Sequence, residues 1–492
     1  MNPLKKLLGQ TAIYGLSSIV GRLLNYLLVP LYTRYFTTSE YGDVTIMYAY
    51  AAFLLIILSY GIETAFFRFS QIESNKRVVF STAFISLLFS TSFFVALIYF
   101  NAQSIANALS FGQHPEYIQY FAFIIGLDTL SSISFAKLRE NNQATRFALI
   151  RLLNIFINIG LNLLFIIYCP FAIANNLPTA DFIQGFYSPD FGIGYIFIAN
   201  LVATVVTFLM LLPEMSQFIW RFDKVLWRKM IVYALPLMVA GLAGITNETI
   251  DRILLQHLLP ADISASEIGL YSAFYKLSII MTLFVQTFRF AAEPFFFSQE
   301  KERNAKQVYA QVMKYFSIVT AFIFLSVMIY YDVVKQFIGS AFHDERGVVI
   351  VPILLLANLF LGLYYNLSVW YKLTEKTQYG AYMSMLGAAI TVIFNLALIP
   401  YLGFVGSAWA TLFCYFLMTL CSYFLGQKYY PIAYPLRRIS LYFSLMLGFY
   451  FLSIYLSLGM GVNTFFLIIY IVVVYVLEKP KKRVISNPQL FD

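Results

Sequence analysis

Charge is scarce in this chain of 492 residues: Asp, Glu, Lys and Arg together make up 12%, where a soluble domain carries about 25%. A water-soluble protein of this length, about three domains by the usual prior, needs far more charge to cover its outside. With 60% hydrophobic residues, a disordered chain is excluded as well. Cysteine is equally sparse. Cys169, Cys414 and Cys421 lie in or beside apolar runs without the paired spacing of a metal site. They read as small buried hydrophobes, and a disulfide-stapled secreted fold is excluded. His114, His257 and His343 are far apart in sequence, so no metal site is expected. No Gly-rich phosphate loop of the G-x-x-x-x-G-K-S/T type occurs, so neither an ATP-hydrolysing engine nor any cofactor is implied. No long outer loop offers room for a polymerase or glycosyltransferase site, and an enzyme is not expected.

What the chain has in abundance is apolar runs. A spanning helix needs about 20 mostly apolar residues. Fourteen candidates fall near 11–33, 41–62, 79–100, 117–135, 147–169, 191–212, 230–255, 268–288, 315–334, 348–370, 381–399, 404–425, 439–458 and 462–477. An all-α, polytopic membrane protein is the expected fold class. The first run is of spanning length and lacks a small-residue cleavage site, so a cleavable leader is not expected.

The net charge of +9 is scattered through short loops, which argues against a nucleic-acid partner. It alternates from side to side. With Lys5 and Lys6 inside, Lys76, Arg77, Lys137, Arg139, Arg146, Arg221, Lys224, Arg228 and Lys229 fall on the same side. So do Lys301, Arg303, Lys306, Lys372, Lys376, Lys428, Arg437, Arg438 and the tail cations Lys479, Lys481, Lys482 and Arg483. Only Arg34, Lys335 and Arg346 fall opposite. Cytoplasmic loops carry the Lys/Arg excess, so both termini are expected in the cytoplasm. The longest outer loop, Pro170 to Asp190, reads as a solvated surface loop.

An internal repeat is visible. Tyr14-Gly15-Leu16 is echoed by Tyr233-Ala234-Leu235, and Ser39-Glu40-Tyr41-Gly42 by Ser266-Glu267-Ile268-Gly269 (266 − 39 = 227). Phe67, Phe69 and Ser70 fall on Phe295, Phe297 and Ser298 (295 − 67 = 228), and Gly192 and Gly194 are echoed by Gly403 and Gly406. Six spans per repeat is an even number, so the halves should be related by a two-fold axis along the membrane normal, with a site between them near the midplane. The expected organisation is a six-helix lobe over 1–213, a cytoplasmic linker over 214–229, and a second six-helix lobe over 230–426. Two extra helices and a basic tail occupy 427–492.

Ionisable groups inside a span cost on the order of 3 kcal/mol each on insertion, so each one asks for a reason. Arg22, Arg151, Arg252 and Lys276 lie deep, as do Asp128, Glu248 and Asp251. Glu63, Arg68, Arg289 and Glu293 lie nearer span ends, where snorkelling suffices. Arg151, Asn154, Asn158 and Asn162 recur at helical steps and share one face. That face can line a wet cavity and bind sugar hydroxyls, or make interhelical hydrogen bonds of about 0.6 kcal/mol each. Ser18, Arg22, Asn25 and Tyr26 share another. An Arg fork at Arg22 matches a phosphate through two parallel hydrogen bonds; pairing with Asp128 or another carboxylate is the alternative. Glu248 and Arg252 are four apart and are expected to pair along their helix. Asp251, Asp128 and Glu248 are candidates for H+ or Na+ coupling. Pro236 predicts a kink or break in the seventh span.

Tyr32-Thr33-Arg34-Tyr35-Phe36 ends the first span and Gly61-Ile62-Glu63-Thr64-Ala65-Phe66-Phe67-Arg68 closes the second. Asp251-Arg252-Ile253-Leu254-Leu255 is followed by Ile268-Gly269-Leu270-Tyr271-Ser272. With fourteen spans as six, six and two, the chain resembles the polysaccharide transporters, or O-antigen (Wzx-type) flippases. These belong to the multidrug/oligosaccharidyl-lipid/polysaccharide exporter superfamily. The resemblance implies alternating-access transfer of an undecaprenyl-pyrophosphate-linked oligosaccharide (an O-antigen, capsule or exopolysaccharide repeat unit) across a bacterial cytoplasmic membrane. It implies a cationic cavity that maps onto Arg22, Arg151, Lys276 and Arg252, with Asn25, Asn154, Asn158 and Asn162 as polar lining. Implied partners are the lipid-linked sugar, the bilayer, H+ or Na+, and glycan polymerase machinery. The alternatives within the same superfamily are a lipid II flippase and a multidrug/cation antiporter.

Overall fold

The computed structural model describes residues 20–456 and 459–479. Lys5, Lys6, Tyr14-Gly15-Leu16, Ser18 and the tail cations Lys481, Lys482 and Arg483 lie outside them. The described residues form helices and connecting turns, with no strand among them. Helix α1 covers 20–26 and, after a turn at Leu27, Leu28–Tyr35. There follow α2 (Thr38–Ser59, resumed as Ile62–Ile72), α3 (Lys76–Phe100), α4 (Pro115–Glu140), α5 (Ala144–Leu163) and α6 (Gly194–Met210). Next come α7 (Lys224–Leu258), α8 (Ala261–Leu277, resumed as Ile279–Gln299), α9 (Ala305–Ile329) and α10 (Gly347–Leu367). The last four are α11 (Gln378–Leu402), α12 (Phe404–Tyr429), α13 (Leu436–Tyr455) and α14 (Met460–Glu478). Twelve helices among the described residues are long and apolar enough to cross a membrane. Helix α6, of 17 residues, is shorter, and α1 begins outside the described residues. The order matches the fourteen expected spans.

Local chemistry sets the boundaries. Thr37 and Glu40 form a capping box at the start of α2, each satisfying the other's backbone N–H. The helix turns at Tyr60 and Gly61, which have φ of 32° and 72°. Asp223 caps α7, accepting from the N–H of Val225 and Leu226 at 2.9 Å. That cap corrects one expectation: 224–229 belong to α7 and not to the linker, because the cap starts the helix ahead of the apolar run. Nor does Pro236 break α7, which runs through it for 35 residues. One lost hydrogen bond is tolerated in a membrane helix whose neighbours and local geometry absorb it. Helix α8, in contrast, extends well beyond 268–288 and is interrupted at Ser278. In the loop after α5, a π turn (Leu164–Tyr168) leads into two short helices, Cys169–Ala174 and Ala180–Gln184.

The repeat seen in the sequence becomes a reciprocal contact between α2 and α8. A Cβ added at Gly42 would lie 1.8 Å from the carbonyl oxygen of Ala265, and one at Gly269 would lie 1.8 Å from that of Thr38. Under the offset of 227, Gly42 becomes Gly269 and Thr38 becomes Ala265, so each contact is the image of the other. Thr45 and Ser272, also 227 apart, hydrogen-bond to each other at 3.3 Å. Gly192 and Gly403 share a backbone conformation, φ 51° and 56° with ψ −123° and −140°. A Cβ at either would come near Glu40 or Glu267, respectively. Helices α13 and α14 attach to α9 through buried Lys314, which meets Glu478; Arg438 binds the same carboxylate at 2.9 Å and Tyr442 at 2.5 Å.

Candidate functional site

Helices α1, α2, α7, α8, α10 and α12 surround a cavity of about 470 Å³, within the range of small-ligand sites, about 300–1,000 Å³. Among the described residues its charged lining is three cations, Arg22, Arg252 and Lys276, and one carboxylate, Glu248. The rest is amide, hydroxyl and phenol, notably Asn25, Gln286, Asn358, Tyr275 and Tyr365. Three positive charges in a mixed polar and aromatic wall make a site that attracts anions and can stack on or hydrogen-bond to neutral polar rings.

Each cation is held differently. The guanidinium of Arg22 donates to Oε1 of Gln286 across the cavity, joining α1 to α8. Arg252 donates to Oδ1 of Asp251 at 2.8 Å and to the carbonyl oxygen of Glu248 at 2.8 Å. Its guanidinium also lies over the Tyr275 ring, 4.8 Å from the centroid. The expected pairing of Arg252 with the Glu248 carboxylate is therefore replaced by one with its own neighbour. The reason is Tyr271 on α8, which donates to Oδ2 of Asp251 at 2.6 Å and, with the Arg252 backbone N–H at 2.9 Å, fixes that buried carboxylate beside the guanidinium. Glu248 is left facing the cavity within electrostatic reach of Arg22, Arg252 and Arg289.

The structure brings Arg22, Asn25, Glu248, Arg252 and Lys276 together, and leaves the other named residues elsewhere. Arg151 is not part of this lining; its guanidinium lies 4.1 Å from the centroid of Phe135. Asp128 is within electrostatic reach of Arg151, and Arg22 donates to Gln286 instead, so Asp128 is not the partner of Arg22. Asn154 donates to Thr207 on α6 at 3.0 Å. Asn162 donates to the carbonyl and side-chain oxygens of Asn158 at 2.7 and 3.1 Å. Its own Oδ1 accepts from the hydroxyl of Tyr32 at 3.0 Å, and Tyr32 does line the cavity. The face of α5 thus reaches the cavity through one residue, by fixing a tyrosine. Near the helix ends Glu63 pairs with Arg139, Glu293 with Lys372 at 2.9 Å, and Arg289 lies over Tyr365. Gln286 and Asn358 were not singled out from sequence; an uncharged amide deep in a span is the signal that marks both.

The α2–α8 seam is held by more than the glycine contact. Thr38 and Ser266 hydroxyls meet at 2.7 Å, and the Gly339 N–H donates to Thr33 at 3.0 Å. Arg346 links Glu267 and Asp344, at 2.9 and 2.8 Å, over the face of Phe404. Hydrogen bonds from Arg346 hold the Asp344 carboxyl below its ordinary value.

Comparison with known proteins gives the architecture its relatives. The chain has a TM-score of 0.72 to a lipid II flippase, MurJ, in an inward closed conformation, at 13% identity over 94% of this chain and 98% of that one. A multidrug resistance MATE family transporter of the MOP superfamily scores 0.63 in its inward-facing conformation, at 12% identity over 88% of this chain and 95% of that one. In its outward-facing conformation such a transporter scores 0.60, at 13% identity over 88% and 96%. These likenesses show the fold. No curated protein matches significantly. The family described as polysaccharide biosynthesis protein matches residues 7–300, more than half of the chain. The chain therefore belongs to the polysaccharide biosynthesis protein family, and it has the multi-pass helical fold of membrane flippases and transporters.

Proposed function

We propose that the protein is a flippase that moves an undecaprenyl-pyrophosphate-linked oligosaccharide, the repeat unit of a surface polysaccharide, across the bacterial cytoplasmic membrane by alternating access. The observation that carries this reading is the cavity in which Arg22, Arg252 and Lys276 face one carboxylate. A pyrophosphate with attached sugars cannot cross about 30 Å of hydrocarbon unaided. A basic, polar interior enclosed by apolar helices removes most of that cost. Two six-helix lobes and a C-terminal helix pair form the working parts, with both termini in the cytoplasm and the α2–α8 seam toward the periplasm. In that orientation the cavity is shut on the outside, the state in which substrate loads.

Flipping needs no ATP in this account. With the cytoplasm negative, each negative charge moved outward is favoured by about 2.3 kcal/mol per 100 mV. If H+ or Na+ also contributes, Glu248 is the residue placed for it, because Asp251 is already committed to Tyr271 and Arg252 and neither it nor Asp128 lines the cavity.

A second reading, lipid II transport, is favoured by the likeness to MurJ along nearly all of both chains. A multidrug/cation antiporter is disfavoured by the excess of cations in the cavity. The test is transport in proteoliposomes, with two labelled polyprenyl-pyrophosphate substrates and an organic cation compared in parallel. Flipping of the oligosaccharide-bearing lipid over lipid II supports the first reading. Preference for lipid II moves the protein to the second, and uptake of the cation alone refutes both.

A further inference from the structure

The ends of α2 and α7 enclose a second basic recess, a groove of about 760 Å³ that the transport cavity does not include. Arg68, Lys224, Arg228 and Lys229 line it together with Phe69, Val225, Val232 and Tyr233. Among the described residues no carboxylate is part of the lining. Asp223, the nearest in sequence, is engaged with the backbone at the start of α7. Among the described residues, six other cations at this end of the bundle, Lys76, Arg139, Arg146, Lys314, Lys372 and Arg438, each meet a carboxylate, whereas Lys301, Arg303 and Lys306, like the groove cations, meet none. Among the described residues none of the four groove cations forms an ion pair or hydrogen bond; the one contact is Arg68 over the Tyr233 ring, 4.5 Å from its centroid.

The groove is also apolar where a soluble anion would have no use for it. Val225, Arg228, Lys229 and Val232 share one face of α7 by helical spacing, and the two valines are 68% and 66% exposed. The cations occupy the outermost turns, 224–229, and the valine and tyrosine at 232–233 continue one turn further in. Positive charge at the rim and hydrocarbon beneath it is the order of a lipid's own head and chain. Four like charges with no counter-charge of their own repel one another, and a membrane-anchored phosphate removes that repulsion.

We propose that this groove binds an anionic phospholipid, its phosphate among Arg68, Lys224, Arg228 and Lys229 and its chain along Val232 and Tyr233. The site is independent of the transport reading, because it requires no residue of the cavity.

The test uses the full-length protein in detergent and a fluorescent phosphatidylglycerol, with the phosphatidylcholine analogue as comparison. One basic residue near an anionic surface contributes about fivefold in affinity. Arg228→Gln alone should weaken binding about fivefold, and Lys224→Gln with Arg228→Gln and Lys229→Gln at least tenfold. The matched triple in the loop after α8, Lys301→Gln with Arg303→Gln and Lys306→Gln, should bind as the native protein does. The proposal is overturned if the groove variants bind normally, if both triples lose binding equally, or if the phosphatidylcholine analogue binds as well. Full displacement by millimolar inorganic phosphate would overturn it too, by showing a site for a free anion. The single variant keeps the test readable should the triple fail to fold.

Discussion

Closure at the α2–α8 seam depends on two residues having no side chain. In Gly42→Ala the new Cβ would lie 1.8 Å from the Ala265 carbonyl oxygen and 2.8 Å from its carbon. Carbon–oxygen contacts between helices settle near about 3.3 Å, so the two backbones would have to part by about 1.5 Å at this point. Overpacking of that kind costs about 1–3 kcal/mol, which lowers the population closed at the seam by roughly 5- to 150-fold relative to the state open there. The open state bears none of this cost and gains about 1 kcal/mol of helix propensity from the alanine. The variant should therefore fold and populate the seam-closed state less than the native protein does. The assay is crosslinking between Thr38→Cys and Ser266→Cys, whose native hydroxyls are 2.7 Å apart. The pair should crosslink readily with Gly42 present and at least fivefold more slowly with alanine. Gly269→Ala, the symmetry-related change, should match it. Equal crosslinking with glycine and alanine at both positions would refute the claim that this contact holds the seam closed.

Other consequences follow from single contacts. Asn162→Ala removes the acceptor that fixes Tyr32; transport should fall severalfold with expression unchanged, and Tyr32→Phe, which removes the donor of the same bond, should lower it to a similar extent. Glu478→Gln leaves buried Lys314 facing a neutral amide and should destabilise the packing of α9 against α14 by about 3 kcal/mol, read as a lower melting temperature that Lys314→Met in the same chain recovers. Because Asp344 titrates below its unfolded value near 3.9, its bond to Arg346 stabilises above that pH and is lost as pH falls through the lower folded value. The melting temperatures of the native protein and Asp344→Asn should differ at pH 7 and converge in strong acid; a constant gap would contradict this. Glu248→Gln should remove any dependence of transport on a proton or sodium gradient while leaving its dependence on membrane potential.

Much of this was legible in the sequence because it is a matter of composition and spacing. The apolar runs gave fourteen helices in order, and the repeat of Ser-Glu-x-Gly marked the two glycines that meet at the seam. Helix orientation about its own axis was far less legible. Membrane helices are apolar on most sides, so periodicity does not say which polar residue faces the interior. Arg22, Lys276, Arg252 and Glu248 meet in one cavity, whereas Arg151, drawn from the same reasoning about deep charge, stacks on Phe135 outside that lining. The four-residue spacing of Glu248 and Arg252 pointed to a pair along α7, but a tyrosine from α8 decides the matter by holding Asp251 in place. Partners from other helices are the information a single sequence conceals.

The central claim is that the cavity cations carry the substrate's phosphates. A charge-assisted hydrogen bond contributes about 1.5–3 kcal/mol, so losing one should slow a transport step that depends on it by roughly 10- to 150-fold. The most direct measurement is flipping of a labelled polyprenyl-pyrophosphate oligosaccharide in proteoliposomes by the native protein and by Arg22→Gln, Arg252→Gln and Lys276→Gln. Intact folding of each is checked by the seam crosslink, with Thr38→Cys and Ser266→Cys introduced into the same chain. Each glutamine variant should fold and lose at least tenfold in rate; undiminished flipping in all three would contradict the account.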